Sequence, residues 1–369
     1  MWKLGSLIID SMDFKSILTG WYEQNRRDLP WRSTKNPYYI WVSEVILQQT
    51  RVAQGLAYYQ RFTATFPTIY DLANAHEDTV LKVWQGLGYY TRARNLHNAA
   101  KLIVNQYNGN IPHEYSELIK IKGIGDYSAG AIASFAFKQA VPAIDGNVYR
   151  IIARVFGVFS LPTTAQGKRD FHQIVMDLMD MEAPDTFNQA LLDFGALQCV
   201  PQSPKCSDCP FKDYCYAYRN NMIDSLPVKS KKLVPRNRYF TYLLIQFGYN
   251  TFISKRKSKD IWHSLYEFPL IETEKAIAPN QLHKQKALKE WVGKKGYTIV
   301  YISDEVKHLL SHQTLHTRFV IIKIDAVSEK LAKECTMVPA TEVSHYSTPK
   351  LIENFLAAEP AAKYFHNKP

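Results

Sequence analysis

A chain of 369 residues, 46% of them hydrophobic, is long enough for two domains and can bury substantial cores, which excludes a disordered tail or a fibre. No apolar run approaches the ~18–20 residues of a membrane span, and the opening MWKLGSLIIDSMDF lacks both a full signal-type apolar segment and a small-residue cleavage site. The expectation is a soluble cytoplasmic protein. The net charge of +11 is uneven: residues 226–369 hold 23 Lys and Arg against 13 Asp and Glu, residues 1–225 hold 22 against 21. A basic chain of this kind suits a polyanion, commonly DNA or RNA.

Residues 1–225 read as almost entirely helical. Apolar residues recur at helical spacing in FKSILTGWYEQN, YYIWVSEVILQQT, VAQGLAYYQRFTATF and FHQIVMDLMDM, separated by short Gly- and Pro-rich joints. The segment IWVSEVILQQT (40–50) is apolar almost all round, which predicts a buried helix. Glu44 then sits in low-dielectric surroundings, where desolvation raises its pKa and suits it to donate a proton near neutrality. The alternative is a narrow polar face through which it reaches water. Gln48, Gln49, Thr50 and Arg51 follow, and all can hydrogen-bond to base edges. QGLGYYTR (85–92) reads as a helix-joining turn with buried aromatics.

LIKIKGIGDYSAGAIASFAF (118–137) predicts a helix, a tight turn at Gly123-Ile124-Gly125 and a second helix rich in small residues. The glycines permit close backbone approach, and the free N–H groups of the second helix suit a phosphate; such turns also serve purely structural ends. AVPAIDGNVYRIIARVFGVF predicts a helix over 146–156 with Asp145 as N-cap. A capping carboxylate stays ionised and can also stabilise a developing cation.

CVPQSPKCSDCPFKDYC (199–215) holds four of the five cysteines, with gaps of six, two and five. Disulfides are disfavoured in an intracellular chain. Cys-x2-Cys is a zinc half-site, but the second half is missing. Short loops wrapped around a larger 4Fe–4S cluster fit better, with zinc and free thiols open on spacing alone. Cys335 reads as an ordinary buried thiol. SLPVKSKKLVPRNR, with two prolines and Lys229, Lys231, Lys232, Arg236 and Arg238, marks a basic linker over 226–236. Beyond it, RYFTYLLIQFG, TFISKR, YTIVYIS and RFVIIKIDAV read as strands and QLHKQKALKEWVGKKG as a helix, so 237–369 is a separate α+β domain.

LPWR (29–32), VSEVILQQTRV (42–52), WQGLGYYTRARNL (84–96), GIGDYSAGA (123–131), PAIDGNVYR (142–150), FNQALLDFGALQC (187–199) and the cysteine loop occur in this order. With them nearly the whole chain resembles the helix–hairpin–helix DNA glycosylases that carry a cluster loop, and among these the MutY-type adenine DNA glycosylases. The resemblance implies a multi-domain fold. An all-α helix–hairpin–helix glycosylase domain spans 1–225, with a six-helix part over about 31–137 and a cluster part from 1–30 and 138–225. An α+β Nudix-like lesion-recognition domain spans 237–369.

The resemblance also implies a 4Fe–4S cluster on Cys199, Cys206, Cys209 and Cys215, shaping a basic loop with Lys205 and Lys212 nearby. It gives Glu44 the protonation of adenine N7 and Asp145 the stabilisation of an oxocarbenium-like sugar. Asn147 supports Asp145, and Tyr127 packs against the pair. Arg27, Trp31, Arg32 and Gln189 surround the flipped adenine. Gln49, Thr50, Leu87 and Tyr89 surround its partner base, Leu87 and Tyr89 being suited to wedge and stack. Gly123 and Gly125 clamp the backbone, while Ser311 and His312 read the lesion. The substrate so implied is double-stranded DNA with adenine opposite 8-oxoguanine or guanine, handled by a monomer away from any membrane in a bacterial cytoplasm.

The chain departs from related patterns at three places. Tyr127 stands where endonuclease III-like enzymes carry the lysine used for Schiff-base chemistry, so a monofunctional glycosylase is expected. Leu310 replaces the Phe of the Phe-Ser-His that the family carries within HLLSHQTLH (308–316). The metal-binding box of true Nudix hydrolases is missing, so nucleotide hydrolysis is not expected. His308, His312 and His316 would form a zinc site only on a continuous helix, which the strand beginning at TRFVIIKIDAV opposes. The competing readings are an endonuclease III-like glycosylase/lyase and an inactive lesion-binding protein.

Overall fold

The computed structural model describes residues 10–230 and 234–364. Lys231 and Lys232 of the expected linker and the first nine residues lie outside the described part. No described helix is long and apolar enough to cross a membrane. The chain forms two compact units, one of residues 1–74 and 95–231, the other of residues 75–94 and 232–369.

The first unit is helical: α1 (Ser11–Asn25), α2 (Pro37–Leu47), α3 (Val52–Thr65) and α4 (Ile69–Asn74) precede the excursion, α5 (Glu77–Trp84) lies within it, and α6 (Thr91–Tyr107) returns from it. Then come α7 (Tyr115–Leu118), α8 (Asp126–Phe137), α9 (Gly146–Phe156), α10 (Ala165–Leu178), α11 (Pro184–Leu197) and α12 (Tyr216–Arg219). Capping residues set the starts where the sequence supplies them: Asn36 accepts from Tyr38 N–H ahead of Pro37, and Thr164 accepts from Gly167 N–H. One apolar core joins α1, α9, α10, α11 and the cysteine loop through Phe14, Leu18, Ile152, Phe171, Phe194 and Phe211. A smaller one joins α2 to α8 through Ile40, Ala131, Phe135 and Ala143.

Among the described residues the second unit is built on eight strands: β1 (Arg236–Phe247), β2 (Asn250–Lys255), β3 (Tyr266–Glu267), β4 (Leu270–Thr273), β5 (Tyr297–Ile302), β6 (Val306–Leu309), β7 (Gln313–Ile324) and β8 (Thr336–Pro339). Their main path runs β3-β2-β1-β7-β5, with β4 on β1, β6 on β7 and β8 on β2. β1 and β7 pair in parallel, Arg236 opposite Gln313 through Gln246 opposite Lys323. Both faces of β1 are covered, which is why RYFTYLLIQF reads as a continuous apolar run rather than an alternation. Phe240, Tyr242 and Leu244 face one core with Leu351, Ile352 and Phe355 of α15 (Lys350–Leu356). Leu243 and Ile245 face the other with Leu288 and Trp291 of α13 (Lys286–Val292) and Leu331 of α14 (Glu329–Glu334). The single helix expected over 281–296 is shorter: a 3-10 turn, Pro279–Lys284, precedes α13, and Gln285 breaks the run with an extended backbone.

Residues Ala75–Arg94, inside the expected six-helix part, group by packing with the second unit. Asp78 accepts hydrogen bonds from Lys255 Nζ at 2.5 Å and Tyr266 OH at 3.0 Å, Lys82 Nζ donates to Ser344 O at 2.5 Å, and Arg94 donates to His263 O at 2.6 Å. These polar ties reach residues more than 160 positions away, which no local pattern announces.

Phe319 stacks on Phe355 at 4.1 Å between centroids and is 1% exposed. Phe319→Ala is therefore expected to destabilise the second unit by about 3–5 kcal/mol, read as a lowered urea midpoint for its unfolding.

Candidate active site

A cavity of about 700 Å³ opens in the first unit, with Glu44, Tyr127, Asp145 and Asn147 among its walls. α2 is buried on nearly every face, and Glu44 is only 6% exposed. Burial pushes its carboxyl up to about 7; the Tyr127 hydroxyl, which donates to Glu44 Oε2, and Arg32 pull it down, while the nearby Asp145 pushes it up. The apolar pattern of 40–50 anticipated this direction. Burial also lifts the Tyr127 phenol well above its usual range, so it keeps its proton and remains a donor.

Asp145 caps α9 as expected. Its Oδ1 accepts from the Asn147 and Val148 N–H groups at 2.8 and 3.0 Å, and its Oδ2 from Asn147 Nδ2 at 2.7 Å. Burial raises its pKa, and these three donors oppose the rise. Two carboxyls thus share one cavity in unlike surroundings, one proton-holding near neutrality and one with three donors aimed at its anion.

Asn147 is itself held. Its Oδ1 accepts from Arg150 Nη2 at 2.7 Å, and Arg150 also donates to Gly195 O at 2.7 Å and Cys199 O at 2.6 Å. A Cβ on Gly195 would lie 2.5 Å from Asn147 Cβ, so α11 approaches α9 this closely only with glycine there. Sequence reasoning passed over Arg150 and Gly195. The available signal was spacing: Asn147, Arg150 and Arg154 stand at i, i+3 and i+7 on one helix face.

Arg27 and Arg32 converge on Asp193, which has no exposed surface. Arg27 Nε lies 2.8 Å from Oδ1, and Arg32 lies 2.6 Å from Oδ2 and 2.7 Å from Oδ1. Burial pushes Asp193 up, but the Arg32 hydrogen bonds and the two guanidinium charges outweigh it and hold the carboxyl below its usual range. Asp193 was also missed; it lies in FNQALLDFGALQC, where a lone acid among apolar residues was the hint. Trp31 meets Tyr59 edge-on at 5.1 Å, and Gln189 accepts from Tyr22 OH at 3.0 Å. Gln49 and Thr50 line the same cavity, Gln49 with a left-handed backbone at φ 56°.

Of the other residues expected to meet DNA, four lie in the second unit and Gly123 and Gly125 in the first. Leu87, Tyr89, Ser311 and His312 line a cavity of about 680 Å³, where Tyr89 OH lies 2.7 Å from Ser311 Oγ. Leu87 is buried and Tyr89 is 51% exposed. Gly123 takes φ 105°, and its Cβ would meet Asn95 at 3.0 Å. Gly125 caps α8 with open space around it, leaving the first-turn N–H groups accessible to a phosphate. His308 is on β6 and His316 on β7, where His316 bonds Glu305 and stacks on Tyr239, so the three histidines share no helix face.

Cys199, Cys206, Cys209 and Cys215 are free thiols within one loop. Burial and mutual repulsion raise the Cys206, Cys209 and Cys215 thiols, Cys209 to about 12. Backbone N–H groups of Phe211 and of Ala217 and Tyr218 point at Cys209 and Cys215, and Arg154 Nη1 lies 3.6 Å from Cys199 Sγ. Four such thiols surrounded by donors suit a polynuclear cationic core that would hold them as thiolates. Among the described residues no three His, Cys, Asp or Glu side chains are grouped to hold a single metal ion. Cys335 is a half-buried thiol, raised to about 11 by burial.

Residues 42–176 match the family described as HhH-GPD superfamily base excision DNA repair protein, 241–358 the NUDIX domain, and 199–215 the iron-sulfur binding domain of endonuclease III. The adenine DNA glycosylase of Buchnera aphidicola subsp. Baizongia pistaciae is 35% identical over 319 residues, covering 85% of this chain and 87% of that one. The chain belongs to the adenine DNA glycosylase family. The Arabidopsis thaliana adenine DNA glycosylase is 33% identical over 367 residues, 86% of this chain and 58% of that one. A thermostable thymine-DNA glycosylase superposes with a TM-score of 0.53 at 27% identity, over 57% of this chain and 97% of its own. Endonuclease III in a non-covalent DNA complex shares the helical fold, with a TM-score of 0.51 at 21% identity over 58% of this chain and 99% of that one. The family's cysteine loop carries a 4Fe–4S cluster, and the loop here fits it.

Two predictions come from this geometry. Between about 4.5 and about 7 the folded protein holds a proton at Glu44 that the unfolded chain has lost. Stability therefore falls as pH rises through that window, by roughly 3 kcal/mol in all. Glu44→Gln removes the loss, so its melting temperature should exceed wild type at about pH 8 and converge with it at about pH 4. Gly195→Ala should slow adenine release on the order of 10- to 100-fold by displacing Asn147, with the cluster's visible absorption unchanged.

Proposed function

We propose that this enzyme hydrolyses the N-glycosidic bond of adenine mispaired with 8-oxoguanine or guanine in duplex DNA, and leaves the strand intact. The observation that carries the reading is Glu44, a buried carboxyl pushed up to about 7 in the cavity that also holds the capped Asp145. Glu44 gives its proton to adenine N7, so the base leaves neutral. Asp145, backed by Asn147, stabilises the cationic sugar as the C1′–N9 bond breaks. Water adds at C1′ and returns a proton to Glu44, giving free adenine and an abasic site. Arg27, Arg32, Trp31 and Gln189 form the pocket for the everted base.

Tyr127 holds the hairpin position of the lyase lysine, and Lys35, the lysine among the cavity walls, is tied to Asp185 at 2.8 Å. Neither offers the free amine that a Schiff base requires. Leu87, Tyr89, Ser311 and His312 address the partner base, while the Gly123–Gly125 hairpin takes a backbone phosphate. Cys199, Cys206, Cys209 and Cys215 ligate the cluster, which supplies a rigid frame for the loop and takes no part in glycosidic cleavage. The enzyme works as a monomer in the bacterial cytoplasm.

The test is an end-labelled duplex with one 8-oxoguanine:adenine pair, quenched and divided before hot alkali. Cleavage at the adenine only after alkali is expected. Cleavage without alkali would establish a lyase, and tight binding with no cleavage in either half would establish an inactive binding protein. The Tyr127 hydroxyl lowers the Glu44 pKa by donating to it, so Tyr127→Phe should shift the alkaline limb of the single-turnover rate to higher pH. An unmoved limb would detach Glu44 from the proton-donor role.

A further inference from the structure

Trp262 forms part of the wall of the second unit's cavity, beside Tyr89, His308, Ser311 and His312. It lies in the loop between β2 and β3 with a left-handed backbone, φ 60°, and Ser264 two residues on takes φ 66°. A bulky residue adopts that conformation only where its surroundings over-determine it, and such residues concentrate at ligand sites. Here the surroundings do so. Arg256 Nε donates to Ile261 O at 3.0 Å and Arg94 Nη1 to His263 O at 2.6 Å, so the carbonyls flanking Trp262 each receive a guanidinium. Backbone bonds from Ser264 N to Arg256 O at 2.9 Å and from Leu265 N to Trp262 O at 3.0 Å close the loop. Arg256 is in turn anchored by Glu267 at 2.9 Å.

Trp262 packs against the second unit's core but is not enclosed by it. The neighbouring aromatics Phe240, Tyr242 and Phe319 are at most 1% exposed, whereas Trp262 stays half-buried. Its ring meets Phe240 at 6.4 Å and His308 at 5.8 Å, both loose contacts. Residues 308–312 read His-Leu-Leu-Ser-His and bring no Phe, Tyr or Trp of their own. Tyr89 has its hydroxyl committed to Ser311. The cavity's volume lies in the range of small-ligand sites, which combine apolar walls with a few polar groups.

We propose that Trp262 is a specificity-determining residue, the platform on which the partner base of the mispair stacks while Ser311 and His312 address its edges. This rests on the reading that the second unit's cavity takes that base. Base–aromatic stacking removed by alanine costs about 5- to 150-fold in affinity.

The test measures dissociation constants of the full-length, cluster-loaded protein for two duplexes, one with adenine opposite 8-oxoguanine and one with adenine opposite an abasic position. Trp262→Ala should weaken the first at least about fivefold and leave the second unchanged, because the second has no partner base to stack. Trp262→Phe should recover most of the loss. Equal weakening on both duplexes would make Trp262 a structural residue, and no weakening on either would remove it from recognition; each overturns the proposal. Ser311→Ala run in parallel separates the two levels. If Ser311→Ala loses discrimination between the duplexes and Trp262→Ala does not, the platform alone fails. If neither does, the assignment of the cavity fails with it.

Discussion

The first unit is organised around the desolvation of one carboxyl. α2 can hold Glu44 near neutral pKa only because Ile40, Trp41, Val42, Val45 and Ile46 exclude water around it. That exclusion requires close packing of α8 against α2, and the small residues of SAGAIAS provide it. The same packing brings Tyr127 to Glu44 and positions the segment that ends in Asp145.

The second carboxyl of the cavity has unlike surroundings. Asp145 is partly buried too, yet it receives two backbone N–H groups and one amide, where Glu44 receives a single phenol. The difference is geometric. A helix N-terminus offers unpaired N–H groups to a cap, and a helix interior offers none to a mid-helix side chain. Placing one carboxyl mid-helix and the other at a helix start is enough to give them unlike hydrogen-bond surroundings.

This explains which parts were legible in the sequence. Glu44 and Asp145 depend on local features, an all-round apolar pattern and an N-cap position, and both were readable from about ten residues each. The cysteine spacing was likewise local. Asp193 with Arg27 and Arg32 was not, since the partners stand 166 and 161 positions apart and only the folded chain joins them. Arg150 was seen only as a helix residue, though it connects Asn147 to the carbonyl of Cys199 across 49 positions. The strands were legible as strands, but the parallel pairing of β1 with β7 and the grouping of Ala75–Arg94 with the second unit depend on contacts between distant segments.

The cations divide along a similar line. The arginines at the structural junctions are largely or partly buried and committed: Arg27 and Arg32 to Asp193, Arg150 and Arg154 to carbonyls around the cysteine loop, Arg238 and Arg256 to acids of the second unit. The planar fork of a guanidinium suits such multiple fixed bonds. Lysines are left at the surface, Lys257, Lys259, Lys275, Lys284, Lys289, Lys294 and Lys295 in the second unit among them. A hydrated ammonium on a flexible stem makes a poor structural joint but an effective counter-charge for phosphates. The exposed lysines named here thus present counter-charge to a polyanion, while the near-neutral first unit uses its arginines to hold a site together.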